Sequence, residues 1–186
     1  AGRGVAERRR GEAAATAEDV NNGSYDPEGG EITLALSPEG PYGLGETMVT
    51  LTVTDDDGAT AECTAIITVT DNTPPLLTAT TDPLFMLPDK NHEYEQFTLE
   101  NFGISVSDNC SELVFGDVII TKVTSDEAED ALGNGDGNTL NDMVIGVDCQ
   151  SVSLRSERAA TGTGRVYTIF LKVEDESGNM AETTVA

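Results

Sequence analysis

Tryptophan is absent from this chain of 186 residues, aromatic residues make up 5%, and there is a single histidine, His92. Any core must therefore be built from Val, Ile, Leu and Ala, and a histidine-dependent catalytic triad would have to use His92, with no nucleophile elbow in sight. We expect His92 to be a structural residue at a strand start. Three cysteines are too few for a disulfide-dense scaffold and show no CxxC or His–Cys spacing suited to zinc. No stretch has the apolar length of a transmembrane helix. Residues 1–15 carry arginines with no apolar segment after them, so no signal peptide is visible; the chain reads as a piece of something longer. Basic residues are also scarce. Ten Lys and Arg face 34 Asp and Glu, for a formal net charge of −24. Arg3, Arg8, Arg9 and Arg10 supply four of those ten before the chain turns acidic. Such a surface repels nucleic acid and anionic lipid and attracts cations.

What is present is a period of two. In Thr47–Thr54 the residues Val49, Leu51 and Val53 share one face and Thr50, Thr52 and Thr54 the other, the mark of a strand with one wet side. Ala61–Thr70 repeats the pattern with Cys63, Ala65, Ile67 and Val69 inward, and the turn Asp55-Asp56-Asp57-Gly58 joins the two as a hairpin. Further strands are expected at Glu31–Leu36, Leu84–Leu87, Glu95–Leu99, Ile104–Val106, Asp117–Val123, Val144–Val147, Ser151–Arg155, Arg165–Glu174 and Met180–Val185. In Arg165–Glu174 the residues Tyr167, Ile169, Leu171 and Val173 point inward. The junction Val69-Thr70-Asp71-Asn72-Thr73-Pro74-Pro75 cannot continue a strand ladder, because each proline lacks an amide donor and holds its predecessor extended. It reads as a stiff joint. Residues 1–16 show neither alternation nor an apolar helical face and are taken as a disordered or poorly specified lead-in. Both halves end alike, with a long alternating strand, an acidic turn carrying Gly58 or Gly178, and a closing strand. Short strands, many turns and this repeat predict an all-β chain of two tandem β-sandwiches, 17–72 and 73–186, the second with a long acidic loop.

Gly45-Glu46-Thr47 through Asp55, the turn with Gly58, Cys63 and the exit Asp71-Asn72-Thr73-Pro74-Pro75 resemble a hyalin repeat, an immunoglobulin-like extracellular module. Asp26-Pro27-Glu28-Gly29-Gly30 resembles the opening turn of polycystic-kidney-disease-type and cadherin-like bacterial repeats. The second half, with Ser107-Asp108-Asn109-Cys110, Leu154-Arg155-Ser156-Glu157-Arg158 and Asp175 to Asn179 among its matching residues, is similar to a β-sandwich domain of secreted bacterial repeat proteins. The resemblance covers residues 17–186. It implies two immunoglobulin-like domains in an extracellular, secreted or cell-surface setting. The role implied is a non-catalytic spacer or adhesion module whose partners are neighbouring domains of the same chain and matrix, cell-surface or glycan ligands. In such repeats the hairpin cysteine pairs with one near the module's start, yet no cysteine precedes Cys63, which is taken as a core thiol. In the second module Glu176 and Ser177 stand where sequences of the resembled family carry a cysteine, and the resemblance implies that Cys149 takes that role as the partner of Cys110. A bridge closing about forty residues would stabilise the second module by roughly 4 kcal/mol; two buried thiols are the alternative.

The acidic turns are candidate calcium sites, since calcium takes six to eight oxygens from carboxylates, carboxamides and carbonyls. Asp55, Asp57 and Asp71 form one candidate set, and Glu127, Asp136, Asn138 and Asp142 another. The run Asn134-Gly135-Asp136-Gly137-Asn138 starts like an EF-hand loop, but Thr139 stands where glycine is needed and Ile145 where the bidentate glutamate belongs. For any single cluster a solvated turn without an ion is the alternative, but at least one cluster is expected to bind calcium and so to stiffen the module. Arg155, Arg158 and Arg165 are expected to pair with neighbouring carboxylates. The rival function is a carbohydrate-binding accessory module of a secreted hydrolase, for which Tyr25, Tyr42 and Tyr94 would be the sugar platform.

Overall fold

A computed structural model describes residues 11–80, 92–129, 139–156 and 165–186. The chain divides into two compact units, Ala1–Asn72 and Thr73–Ala186. The expected strand at Leu84–Leu87 lies outside the described residues.

In the first unit the short helix α1 (Ala17–Val20) precedes β1 (Ile32–Ser37), β2 (Gly45–Asp55) and β3 (Thr60–Val69). The strands form one antiparallel sheet in the order β1-β2-β3. The alternation of β2 does what its pattern requires: Val49 and Leu51 are buried, and with Leu36 and Tyr42 they make the core. The cover over that core is a correction to the sequence reading. Ala13 bridges Tyr42 through two backbone hydrogen bonds of 2.9 and 2.8 Å. Thr16 caps α1 in a reciprocal capping box with Asp19, which saturates amides a four-residue helix would otherwise leave open. Ala15, Ala17 and Val20 then pack on the core. The lead-in is thus engaged from residue 11 on.

Among the described residues this unit has one sheet, not two facing sheets. Its outer face shows the consequence: Met48 and Ile66, opposite each other across β2 and β3, are 71% and 63% exposed. Cys63 is also exposed. It shares the parity of Ala65 and Ile67, but parity fixes only the side of the sheet; its partner Leu51 on the central strand is buried, whereas Cys63 stands on the outer strand β3.

In chain order the second unit contains β4 (Leu76–Thr78), β5 (Tyr94–Thr98), β6 (Ser105–Ser107), β7 (Ile119–Ser125), β8 (Met143–Ile145), β9 (Ser151–Arg155), β10 (Tyr167–Glu174) and β11 (Met180–Val185). They form three antiparallel sheets, β4-β6, β5-β9-β8 and β11-β10-β7. Tyr167, Ile169, Leu171 and Val173 of β10 are all buried, as their spacing predicts, and they meet Val152 and Leu154 of β9 in a single core with Phe97, Leu99, Phe102 and Val185. β4 follows the proline pair directly; two apolar residues after a joint are too short a run to announce a strand. The architecture is all-β, built of four small antiparallel sheets.

The two closing hairpins carry the same turn. Gly58 donates to the Asp55 carbonyl at 3.2 Å and Gly178 to the Asp175 carbonyl at 3.1 Å. Asp55 and Asp175 donate to the carbonyls of Ala59 and Asn179, at 3.1 and 2.9 Å. Their carboxylates accept from the amides of those same residues, at 2.7 and 2.8 Å. Gly58 and Gly178 adopt φ of +87° and +86°, a conformation that favours glycine. The internal repeat of the sequence is therefore a repeat of turn chemistry.

Candidate functional site

The acids expected to hold calcium in the second unit do come together, but around arginine. Strand register explains why. β8 pairs with β9 so that Met143 faces Leu154; one step further, Asp142 faces Arg155, whose amide donates to the Asp142 carbonyl at 2.8 Å. β7 pairs with β10 so that Ser125 faces Tyr167. The Asp126 amide donates to the Val166 carbonyl, which carries the register on to Glu127 opposite Arg165.

The side chains complete what the register begins. Asp142, fully buried, places Oδ1 3.3 Å from Arg155 Nε and Oδ2 2.5 Å from Arg165 Nη1. Arg165 also sits 3.7 Å from Glu127 and donates to the Ala128 carbonyl at 2.9 Å. Its side chain is 1% exposed. Burial works against the charge on Arg165, but hydrogen bonds with Tyr167 and Asp142 outweigh it and raise its pKa above the ordinary value. Arg155 donates to the His92 carbonyl at 3.0 Å and to the Tyr94 hydroxyl at 2.8 Å, and its guanidinium lies 4.2 Å from the Tyr94 ring centroid. Tyr167 in turn donates to the Arg155 carbonyl at 2.8 Å. A planar guanidinium with five donors suits a buried carboxylate better than a point charge does. Both oxygens of Asp142 face cations the chain itself supplies, so a second cation would meet repulsion there. Of the expected calcium set, Glu127 and Asp142 are the described members, and both lie against arginine. The expectation that Arg155 and Arg165 pair with carboxylates holds. Arg158, Asp136 and Asn138 lie outside the described residues.

The set Asp55, Asp57 and Asp71 does not converge. Asp55 and Asp57 belong to the turn at one end of the β2–β3 hairpin, whereas Asp71 follows Val69, which pairs with Gly45 at the other end. A ten-residue strand separates the ends by roughly 30 Å. Among the described residues, none of Asp55, Asp57, Glu127 and Asp142 joins a group of three carboxylate, thiol or imidazole ligands close enough to share an ion. Asp55 spends its carboxylate on the Ala59 amide instead.

Asp175 does the same more completely, accepting from Ser177, from the Asn179 amide and from the Asn179 carboxamide at 2.8–2.9 Å. Burial alone would raise its pKa; these donors outweigh burial and hold it below the ordinary aspartate value. A depressed carboxylate stabilises the fold at any pH above its unfolded value of about 3.9, and that contribution is lost as pH falls through the lower folded value. In an acid titration followed by NMR, the Ser177 and Asn179 amides should therefore shift with a midpoint below about 3.9. A midpoint at or above that value would contradict the assignment.

No disulfide joins Cys110 and Cys149. Each is held by its own turn. The Cys110 amide and that of Ser111 both donate to Asp108 Oδ2 at 2.7 Å. Cys149 has φ of +58°, donates to the Gly146 carbonyl and accepts from the Ile120 amide at 2.7 Å. The bridge implied by the resemblance is not formed.

His92 precedes β5, and its backbone amide donates to the Ser156 carbonyl at 2.9 Å. The three tyrosines of the sugar-platform reading are used in different ways. Tyr42 is 3% exposed and donates to the Pro38 carbonyl. Tyr94 lies against Arg155, and Tyr25, 78% exposed, is open to solvent. An open cleft of about 360 Å³ beside β7 and β10 is lined by Glu112, Asp117, Lys172, Glu174 and Glu176 among others, with Lys172 paired to Glu174 at 3.2 Å. No described helix is long and apolar enough to cross a membrane. In comparisons with known proteins the chain matches no family model and no curated sequence.

Proposed function

We propose that this chain is a non-catalytic spacer or adhesion segment of a larger secreted or cell-surface protein, built from immunoglobulin-like β-sandwich modules. The observation that carries the proposal is the clamp: Asp142, Arg155, Arg165 and Tyr167 are bonded to one another. A segment whose charged groups close its own strand ends is suited to transmit position, and stiffness here comes from guanidinium–carboxylate contacts in the place first expected for calcium. The extracellular setting rests on the resemblance of the hairpin and junction motifs to hyalin-type repeats, and an acidic surface favours neither nucleic acid nor anionic membrane. Among the described members of the tyrosine set, burial of Tyr42 and stacking of Arg155 on Tyr94 leave no flat aromatic pair for a sugar ring. A glycan array separates the two readings. A spacer gives no saturable signal; saturable binding that is lost on Tyr25→Ala would establish the carbohydrate-binding role instead.

A further inference from the structure

Among the described residues the outer edge of β3 is open, and the spacer reading does not use it. β3 has a hydrogen-bonded neighbour on its β2 side, and among the described residues none on the other. An open edge of ten residues is a template for another strand, and protein edges are usually blunted by lysine, proline or a bulge. From Thr60 to Val69 the only charged residue is Glu62, and proline is absent.

The ladder parity can be read from the turn. Asp55 donates to the Ala59 carbonyl, so Asp55–Ala59, Val53–Ala61 and Leu51–Cys63 are the hydrogen-bonded pairs. Independently, Thr33 Oγ1 donates to the Thr54 carbonyl, which places the even members of β2 toward β1. Odd residues of β3 therefore spend their amides on β2, while Glu62, Thr64, Ile66 and Thr68 direct theirs outward. On the open edge Cys63 occupies a non-hydrogen-bonded position, and its side chain is exposed.

We propose that β3 pairs antiparallel with β3 of a second copy of this chain, in the register that sets Cys63 opposite Cys63. In that register Ala61 faces Ala65, Thr60 faces Ile66, and Glu62 faces Thr64, so no like charges stand directly opposite. The edge is complementary to itself. Each copy brings only one charged side chain, Glu62, to the ten-residue edge, although each chain carries a net charge of −24. The opposed Cys63 residues have Cα atoms about 4.5 Å apart, within the range a disulfide spans. They report the register without being needed for the pairing.

The test uses the full chain. Sedimentation across concentration should show a monomer–dimer equilibrium that shifts toward dimer as salt screens the net charge. Diamide, which accepts the two electrons and two protons released when two thiols join, should give a linked dimer whose digest contains the Cys63–Cys63 peptide. Thr64→Pro removes an outward amide and leaves the β2 ladder intact. Thr64→Glu leaves the backbone alone and sets a second carboxylate opposite Glu62. Both should abolish the dimer while circular dichroism remains that of the parent. A chain that is monomeric at every salt and concentration, cross-links through Cys110 or Cys149 in place of Cys63, or undiminished dimer in folded Thr64→Glu would each overturn the proposal.

Discussion

Asp142→Ala is expected to destabilise the second unit by about 3–5 kcal/mol, because it removes the carboxylate from a buried guanidinium without removing the guanidinium. Arg165, 1% exposed, would keep its charge and lose its closest anionic partner. Glu127, a described carboxylate at 3.7 Å, is more distant and partly exposed. The same logic separates this variant from a double one. Asp142→Leu combined with Arg165→Met removes the most deeply buried pair and leaves apolar volume, while Arg155, 16% exposed, keeps access to solvent and the Tyr94 ring. Such replacements of buried pairs are often neutral or stabilising. Urea denaturation of the three proteins decides the matter. The single variant should lose most of the stability of its unit, and the double variant should recover a large part of it. Equal losses in both would mean that packing, and not the uncompensated charge, sets the cost.

Phe102→Ala should cost the second unit about 3–5 kcal/mol by a different route. The ring is fully buried at the end of a 3-10 turn, Leu99–Phe102, and the Phe102 carbonyl accepts from the Thr80 amide at 3.0 Å. Truncation leaves the turn in place and opens a cavity beneath it, so relaxation can fill little of the void. For a unit of this size the loss corresponds to a fall in melting temperature on the order of 10–20 °C. Phe102→Leu, which keeps most of the volume, should cost less than half as much. Among the described residues the buried core has thirteen apolar side chains in the second unit and four in the first, so the first unit is expected to melt first in the parent. Phe102→Ala should bring the later calorimetric transition down toward the earlier one. An unmoved later transition would show that Phe102 does not anchor that core.

Much of this was legible from residue order because period-two alternation is a local property. The buried face of β10 follows from Tyr167, Ile169, Leu171 and Val173, and the paired hairpins follow from the two Asp-x-x-Gly turns. What sequence order does not carry is register. Glu127 and Asp142 look like loop acids waiting for a cation until β7–β10 and β8–β9 are aligned; then each faces an arginine. Once those alignments are known, Arg155 and Arg165 explain the acids that calcium was invoked to explain. Cys63 marks a second limit. Alternation assigns it to the side of Ala65, but depth depends on place in the sheet: Leu51, its partner on the central strand, is buried, and Cys63 on the outer strand is not. The cover itself was hidden in residues 11–20, where alanines carry no periodic signal. The Thr16–Asp19 pair was the available clue, since threonine followed three residues later by an acid is a helix-start pattern.

The central claim is that Asp142 and Glu127 are engaged by Arg155 and Arg165 and that Asp55 is engaged by its own turn, and melting in calcium tests it most directly. Extracellular modules bind calcium at roughly 10⁻⁴–10⁻³ M, so at about 10 mM an occupied site would add on the order of 1.4 kcal/mol or more. The account predicts that calorimetric traces in calcium and in magnesium of equal concentration coincide, and that chelator leaves both transitions in place. A rise of several degrees specific to calcium, abolished by Asp142→Asn or Asp55→Asn, would contradict it.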